Sequence, residues 1–193
     1  HGEFPLWTKG MFSGMPAYQI AMEPDVPVSP GFLLTLLQLG LPKPFSFFVL
    51  ACICFYILTQ VLRVNPYIGI IGSLAYAYAS YNPIIISVGH ETKMNAIALM
   101  PALIGSLLLL YRKHYWLGGA LTAMFTCFLI AVNHLQIAYY AFIIIAFMTL
   151  WSIIHWIREK EYKHMALALS IALVAGITGV LSNSVNLFTT YED

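Results

Sequence analysis

The sequence predicts an all-α membrane protein: a polytopic bundle of about six transmembrane helices preceded by an extracytoplasmic loop segment. Three observations carry this. Of 193 residues, 60% are hydrophobic and only 9% charged, where soluble domains carry about 25% charged residues. So few charges cannot coat a globule with water-compatible surface. Apolar runs of membrane length also follow one another, separated by short polar breaks. Seven of the ten prolines, finally, lie in the first 44 residues, which leaves the remainder free to form long helices. A formal charge of +1, with no basic run longer than two residues, argues against nucleic acid as a partner.

Taken in order, residues 1–44 read as an extracytoplasmic loop. Pro5, Pro16, Pro24, Pro27, Pro30, Pro42 and Pro44 forbid a long helix there. Within it, residues 31–41 (GFLLTLLQLGL) are apolar but too short to span, which suits a short interfacial helix. His1 stands where an initiator Met would, and no signal-peptide pattern follows. The expectation is a piece of a longer protein.

Six spans are predicted in a bundle covering residues 45–185: Phe45–Leu62, Tyr67–Val88, Met94–Tyr111, Tyr115–Val132, Leu135–Ile157 and Met165–Leu181. Each is near the roughly 20 residues that cross about 30 Å of hydrocarbon. No Asp, Glu, Lys or Arg occurs from His114 to Ile157. As one helix that run would extend on the order of 60 Å, twice the bilayer. It must therefore turn, and Asn133-His134-Leu135-Gln136 is its only polar cluster. Residues 186–193 form an extracytoplasmic tail. Inside the second span, GIIGSLAYAYAS (69–80) spaces small residues as packed membrane helices do.

Basic residues set the orientation. Alternating the spans puts six of the nine, Arg63, Arg112, Lys113, Arg158, Lys160 and Lys163, on one side, and Lys9, Lys43 and Lys93 on the other. The richer side is cytoplasmic. The outer side then collects His1, Glu3, Trp7, Tyr18, Asn82, His90, Glu91, Lys93, Asn95, Asn133, His134, Gln136, Asn183, Asn186 and Tyr191. Polar groups at the depth of a span need a partner or a water-filled cavity, and their shared depth predicts one outward-opening cavity.

The centre of that set is Gly89-His90-Glu91-Thr92-Lys93-Met94-Asn95, a polar knot between two apolar runs. Lys93 falls in the first turn of the third span, where the positive end of the helix dipole disfavours a cation. A bound anion such as phosphate resolves the conflict. The plainer alternative is that Lys93 reaches water or pairs with Glu91. His90 could carry a proton or donate to a substrate. Asn133, His134 and Gln136 either share the cavity or simply cap a turn, and Asn183 and Asn186 could cap as well. Cys52, Cys54 and Cys127 lack the companions of a metal site and read as packing residues. No metal is expected, and nothing in the residues names a cofactor.

Three segments, GEFPLWTKGMFSGMPAYQI (2–20), GHETKMNAIALMPALIGSLLLLYRK (89–113) and AVNHLQIAYY (131–140), together resemble the YfhO-like bacterial membrane proteins of the GT-C superfamily of glycosyltransferases. The resemblance implies an inner-membrane enzyme with an extracytoplasmic active face. Such an enzyme moves a sugar from a polyprenyl-phosphate-linked donor in the membrane lipid to an extracytoplasmic glycan or polymer acceptor. It implies a carboxylate in the first outer loop as general base. The expected position lies upstream of this chain, with Glu3 the nearest carboxylate left and Glu23 or Asp25 as alternatives. It gives substrate-binding roles to Trp7, His90, Glu91, Lys93, Asn95, Asn133, His134 and Gln136, with Lys93 beside the leaving phosphate. Two other classes stay open: a non-catalytic protein that binds lipid-linked glycans, and a transporter. The latter would show discontinuous spans with polar residues near mid-membrane and some internal repeat.

Overall fold

The computed structural model describes residues 7–8, 15–16 and 31–184. The chain divides into two compact units. In one, His1–Ser29 with Val185–Asp193, strands β1 (Trp7–Thr8) and β2 (Met15–Pro16) pair antiparallel, with Trp7 opposite Pro16.

The other unit, Pro30–Ser184, is helical. Its elements are α1 (Gly31–Leu37), α2 (Phe45–Val61), α3 (Pro66–Ala77), α4 (Tyr81–Ser87), α5 (Glu91–Tyr111), α6 (Tyr115–Ala131), α7 (Leu135–Arg158) and α8 (Tyr162–Leu181). Three of these, α5, α7 and α8, are long and apolar enough to cross a membrane, with mean hydropathies of 1.9, 2.2 and 2.0. This corrects the expectation of six full spans. Helices α2 and α6 have 17 residues each, a rise of about 26 Å against about 30 Å of hydrocarbon.

The second predicted span is not one helix. It breaks at 78–80 into α3 and α4. Pro83 has no N–H for the carbonyl of Ala79, so the ladder cannot run through. Asn82, buried beside the break, donates Nδ2 to the carbonyls of Tyr76 at 2.9 Å and Ala77 at 3.1 Å. The small residues before the break pack as the sequence suggests: a Cβ on Gly69 would lie 2.7 Å from Thr59 Oγ1 of α2.

Successive long helices reverse through one kind of turn. Arg63, Lys113, Asn133 and Lys160 follow the ends of α2, α5, α6 and α7 with φ of 60°, 71°, 51° and 59°. At three of them the next N–H reaches back along the final turn, Val64 to Thr59 at 3.0 Å, His114 to Leu109 at 3.2 Å and Glu161 to Trp156 at 2.9 Å. This is the left-handed helix stop usually built on Gly. Here the left-handed residue is cationic or an amide, three times Lys or Arg.

Helix α5 is the central element. In its apolar window 67% is buried, against 17% for α7 and 22% for α8. Met94, Leu99 and Leu103 of α5 meet Phe47 and Leu50 of α2 and Phe125 of α6 in one buried cluster. Gly118 lets α6 close on α5, since a Cβ there would sit 2.6 Å from the Cα of Leu110. Midway along α5, Pro101 cannot bond the carbonyl of Ile97. The phenolic hydroxyl of Tyr76, from α3, donates to that carbonyl at 2.7 Å. The break in one helix and the proline in the next are thus joined.

Contacts separate the two ends of the bundle. At one, Arg112 donates to the carbonyl of Val61, and Lys113 pairs with Glu161 at 2.7 Å. The hydrogen bond lifts the Lys113 ammonium above its ordinary pKa and holds the Glu161 carboxyl below its own. Nearby, buried His164 lies between the Tyr115 hydroxyl (2.7 Å from Nδ1) and the Tyr111 carbonyl (3.0 Å from Nε2), edge-on to Trp156. The other end gathers 38–43, 88–95 and 132–136, where the sequence locates its candidate site.

Candidate functional site

Helix α5 begins at Glu91 because Gly89 (φ 81°) stops α4 and His90 takes the N-cap position, its side chain making no cap bond. Glu91 is therefore the first residue and Lys93 the third. Glu91 pairs with Lys43, which precedes Pro44 and α2. Lys93 does not take that carboxylate. Its Nζ lies 5.3 Å from the centroid of the Tyr81 ring on α4, a cation–π contact of about 0.5–1 kcal/mol at such exposure. The pairing of Lys93 with Glu91 that the sequence allowed is thus replaced by two contacts to other elements. Asn95, one turn on, accepts from Gln38 Nε2 at 3.1 Å, which ties the chain after α1 to the same face.

The turn between α6 and α7 comes to this end as well. Asn133 is exposed and supplies the left-handed residue. His134 takes the N-cap position of α7 without a side-chain cap bond. Its ring is partly buried, and Nε2 is closed off from solvent with no hydrogen-bond partner among the described residues. Burial pushes the His134 pKa below the ordinary value, and the charges of Lys93 and His90 push it the same way. Lys93, His90 and His134 are therefore electrostatic neighbours. The charges of a loop about forty residues earlier in the chain thus reach His134.

Other candidates have plainer work. Asn82 closes the end of α3. Asn183 donates to the carbonyls of Cys127 at 3.0 Å and Gly179 at 3.1 Å, binding the end of α8 to α6. Gln136 is exposed and donates to the Tyr140 hydroxyl at 3.0 Å. Asn82 and Asn183 are thus engaged by helix carbonyls and Gln136 by a neighbouring hydroxyl. His1, Glu3, Tyr18, Glu23, Asp25, Asn186 and Tyr191 lie outside the described residues, as does the side chain of Trp7, whose backbone is in β1. Among the described residues no three His, Cys, Asp or Glu side chains form a group that could hold a metal ion.

Sequence reasoning missed Gln38, Lys43 and Tyr81 as neighbours of the knot. Alternating the helices puts all three at the outer end, yet nothing local marks them as partners of residues up to 57 positions away. A groove of about 590 Å³ between α6 and α8, walled by Trp116, Ala120, Ala123, Leu167, Val174 and Thr178, contains none of these residues and is almost wholly apolar. It suits hydrocarbon and offers no chemistry.

The described residues define an α-helical chain with three membrane-length apolar helices, whose polar knot at the start of α5 lies at the end of the bundle poorer in Lys and Arg. No known protein family, no curated protein and no solved structure matches the chain.

Proposed function

We propose that this chain belongs to an inner-membrane glycosyltransferase of the GT-C type. The basic cluster at the outer end of α5 holds the phosphate of a polyprenyl-phosphate-linked sugar, and the acceptor is an extracytoplasmic glycan or polymer. One observation carries the reading: Glu91, the carboxylate beside Lys93 in the first turn of α5, is taken by Lys43, while the charges of Lys93 and His90 reach His134. This leaves a positive site at the end of the bundle where Lys and Arg are scarcer, the extracytoplasmic side by the usual bias.

In the transfer, the acceptor oxygen forms a bond to the sugar's anomeric carbon as the bond from that carbon to the phosphate oxygen breaks. The acceptor's proton passes to a general base, and the phosphate leaves with the electron pair. A cation held at the departing oxygens stabilises that charge more in the transition state than in the ground state. Lys93 fills this role. The general base is assigned to the outer-loop carboxylate that the family resemblance implies.

The test is donor binding and turnover in the native full-length protein reconstituted in nanodiscs. Lys93→Ala should weaken both at least tenfold, the scale of one lost charge-assisted contact, about 1.5–3 kcal/mol. Lys93→Arg should keep part of the activity. Lys160→Ala, which removes the same charge from the opposite end, should change neither. Lys43 is unsuitable for that comparison because its loss frees Glu91. Equal behaviour of Lys93→Ala and Lys160→Ala would reduce Lys93 to a surface cation resting on Tyr81.

A further inference from the structure

We infer that the groove between α6 and α8 seats one acyl chain of an anionic glycerophospholipid, whose phosphate rests at Lys163. This lipid is no substrate, and its seat opens at the end of the bundle opposite to Lys93.

The trough has a packing cause. A Cβ on Gly119 of α6 would lie 2.7 Å from Ile171 Cγ2 of α8, and one on Gly179 of α8 would lie 2.8 Å from the Ala123 carbonyl oxygen. The two helices therefore meet nearly backbone to backbone. Beside that seam Ala120 and Ala123 offer nothing longer than a methyl group, and Leu167 and Val174 form the facing wall, leaving about 590 Å³ open. The hydroxyls of the lining are already engaged. Ser170 donates to the Leu167 carbonyl at 2.9 Å and Thr178 to the Val174 carbonyl at 2.8 Å, while the Tyr115 hydroxyl is held 2.7 Å from His164 Nδ1. A polar guest would lose its own hydrogen bonds there, and a hydrocarbon chain loses none.

Length and charge decide which hydrocarbon. The walls run about 12 Å along α6, from Tyr115 to Ala123, and about 16 Å along α8, from Leu167 to Thr178. That is close to half of a hydrocarbon core about 30 Å thick, the depth of one leaflet and of one acyl chain. A spanning helix would need a seat twice as long. The mouth lies where α6 and α8 both begin, joined by the Tyr115–His164 and Lys113–Glu161 contacts. This is the end richer in Lys and Arg, cytoplasmic by the usual bias. Trp116, 94% exposed, and exposed Tyr162 stand there as interfacial aromatics. Lys163 lies one turn before Leu167, and positions 163, 167, 170, 174 and 178 share one face of α8. Its side chain, tilted towards the start of the helix, extends to the level of the headgroups. Of the acids nearby, Glu161 is bound to Lys113 at 2.7 Å, and Glu159, exposed in the preceding turn, forms no ion pair among the described residues. Lys163 is likewise exposed and forms none among them. A trough one leaflet deep with a spare cation at its mouth fits an acyl chain joined to a phosphate, and a net negative headgroup better than a zwitterionic one.

The experiment is photolabelling of the native full-length protein in nanodiscs, with phosphatidylglycerol or phosphatidylcholine carrying a diazirine in one acyl chain. Mass spectrometry of the digested protein counts the label by segment. Exposed Phe147 and Trp151 of α7 report ordinary lipid contact and serve as the reference. Relative to them, phosphatidylglycerol should label residues 120–123 and 174–178 about fivefold more than phosphatidylcholine does, the weight of one lysine at an anionic lipid surface. Lys163→Gln should abolish that preference and Lys163→Arg should keep it, with the α7 reference unmoved in both. Ala120→Phe fills the trough from an exposed position and should cut groove labelling by either lipid. Equal labelling by the two lipids in the wild type, or a preference that survives Lys163→Gln, would overturn the proposal. So would a groove that neither lipid labels, which would mean that protein covers it. Displacement of the label by an equal amount of polyprenyl phosphate would also overturn it, giving the trough to an isoprenoid chain.

Discussion

Replacing Tyr76 by Phe removes one hydroxyl from the interior of the bundle and leaves the ring in place. The ring's stacking on Phe55, with centroids 4.7 Å apart and planes 21° from parallel, survives the change. What is lost is the 2.7 Å bond to the carbonyl of Ile97. Hydrogen bonds between helices in a membrane average about 0.6 kcal/mol and reach about 1.7. A buried acceptor left unsatisfied costs about 1–3 kcal/mol. Ile97 belongs where these ranges overlap, because Pro101 removes the amide that would otherwise take over its carbonyl. The expected loss is about 1.5 kcal/mol. In a Pro101→Ala background the backbone regains an N–H that can bond the Ile97 carbonyl within the helix, and the same Tyr76→Phe change should cost about 0.5 kcal/mol. The coupling between the two positions is then about 1 kcal/mol. Reversible unfolding of the four variants in mixed detergent micelles measures it. Equal costs in both backgrounds would show that the hydroxyl does not answer to the proline.

Two further predictions follow from the same packing. Asn82→Ala should destabilise by about 2 kcal/mol, since it takes the Nδ2 donor from the carbonyls of Ala77 and Tyr76, the latter keeping the Ala79 N–H at 3.4 Å. Its mark should be faster amide exchange confined to residues near 78–80, and uniform acceleration would refute the local role. Gly118→Ala should cost about 2–3 kcal/mol because its Cβ meets the Leu110 backbone rather than a movable side-chain end. Gly176→Ala, with nothing within 4 Å, should be neutral or stabilising by a few tenths of a kcal/mol, the helix preference of Ala over Gly. Similar unfolding midpoints for the two would contradict the close approach of α5 and α6.

Much of this arrangement can be read in the sequence, and the failures have causes. The reversal at Asn133-His134 follows from length alone, since no helix of that run fits a bilayer. The sorting of basic residues to opposite ends follows from alternation once the breaks are found. The interruption of the second span was less visible. Hydropathy stays high from Tyr67 to Val88, and the run contains no charge. Pro83 was the available sign, three residues into the helix that it helps to start. At the candidate site, shared depth puts His90, Lys93 and His134 at one end of the bundle, where the charges of the first two act on the third. The partners of Glu91 and Asn95 were not, because Lys43 and Gln38 are fixed by tertiary approach and by no local pattern. Asn82, Asn183 and Gln136 show the opposite error. A polar residue near the end of an apolar run is as ready to bond a helix carbonyl or a neighbouring hydroxyl as to face a cavity.

The contrast between α5 and the last two helices bears on how the chain is made. A helix that buries as little of its apolar window as α7 or α8 draws its stability from hydrocarbon around it. It can leave the insertion machinery without waiting for a neighbour. Helix α5 carries charges in its first turn and a proline in its middle, and its apolar surface is mostly covered by other helices. It emerges after α2 and α3, which supply the Phe47 and Leu50 surface and the Tyr76 hydroxyl, and before α6, which closes on it at Gly118. In chain order the least self-sufficient helix thus follows part of its packing surface, on α2 and α3, and precedes the rest. The strongly apolar pair α7 and α8 comes last and leaves most of its apolar window uncovered by the other helices.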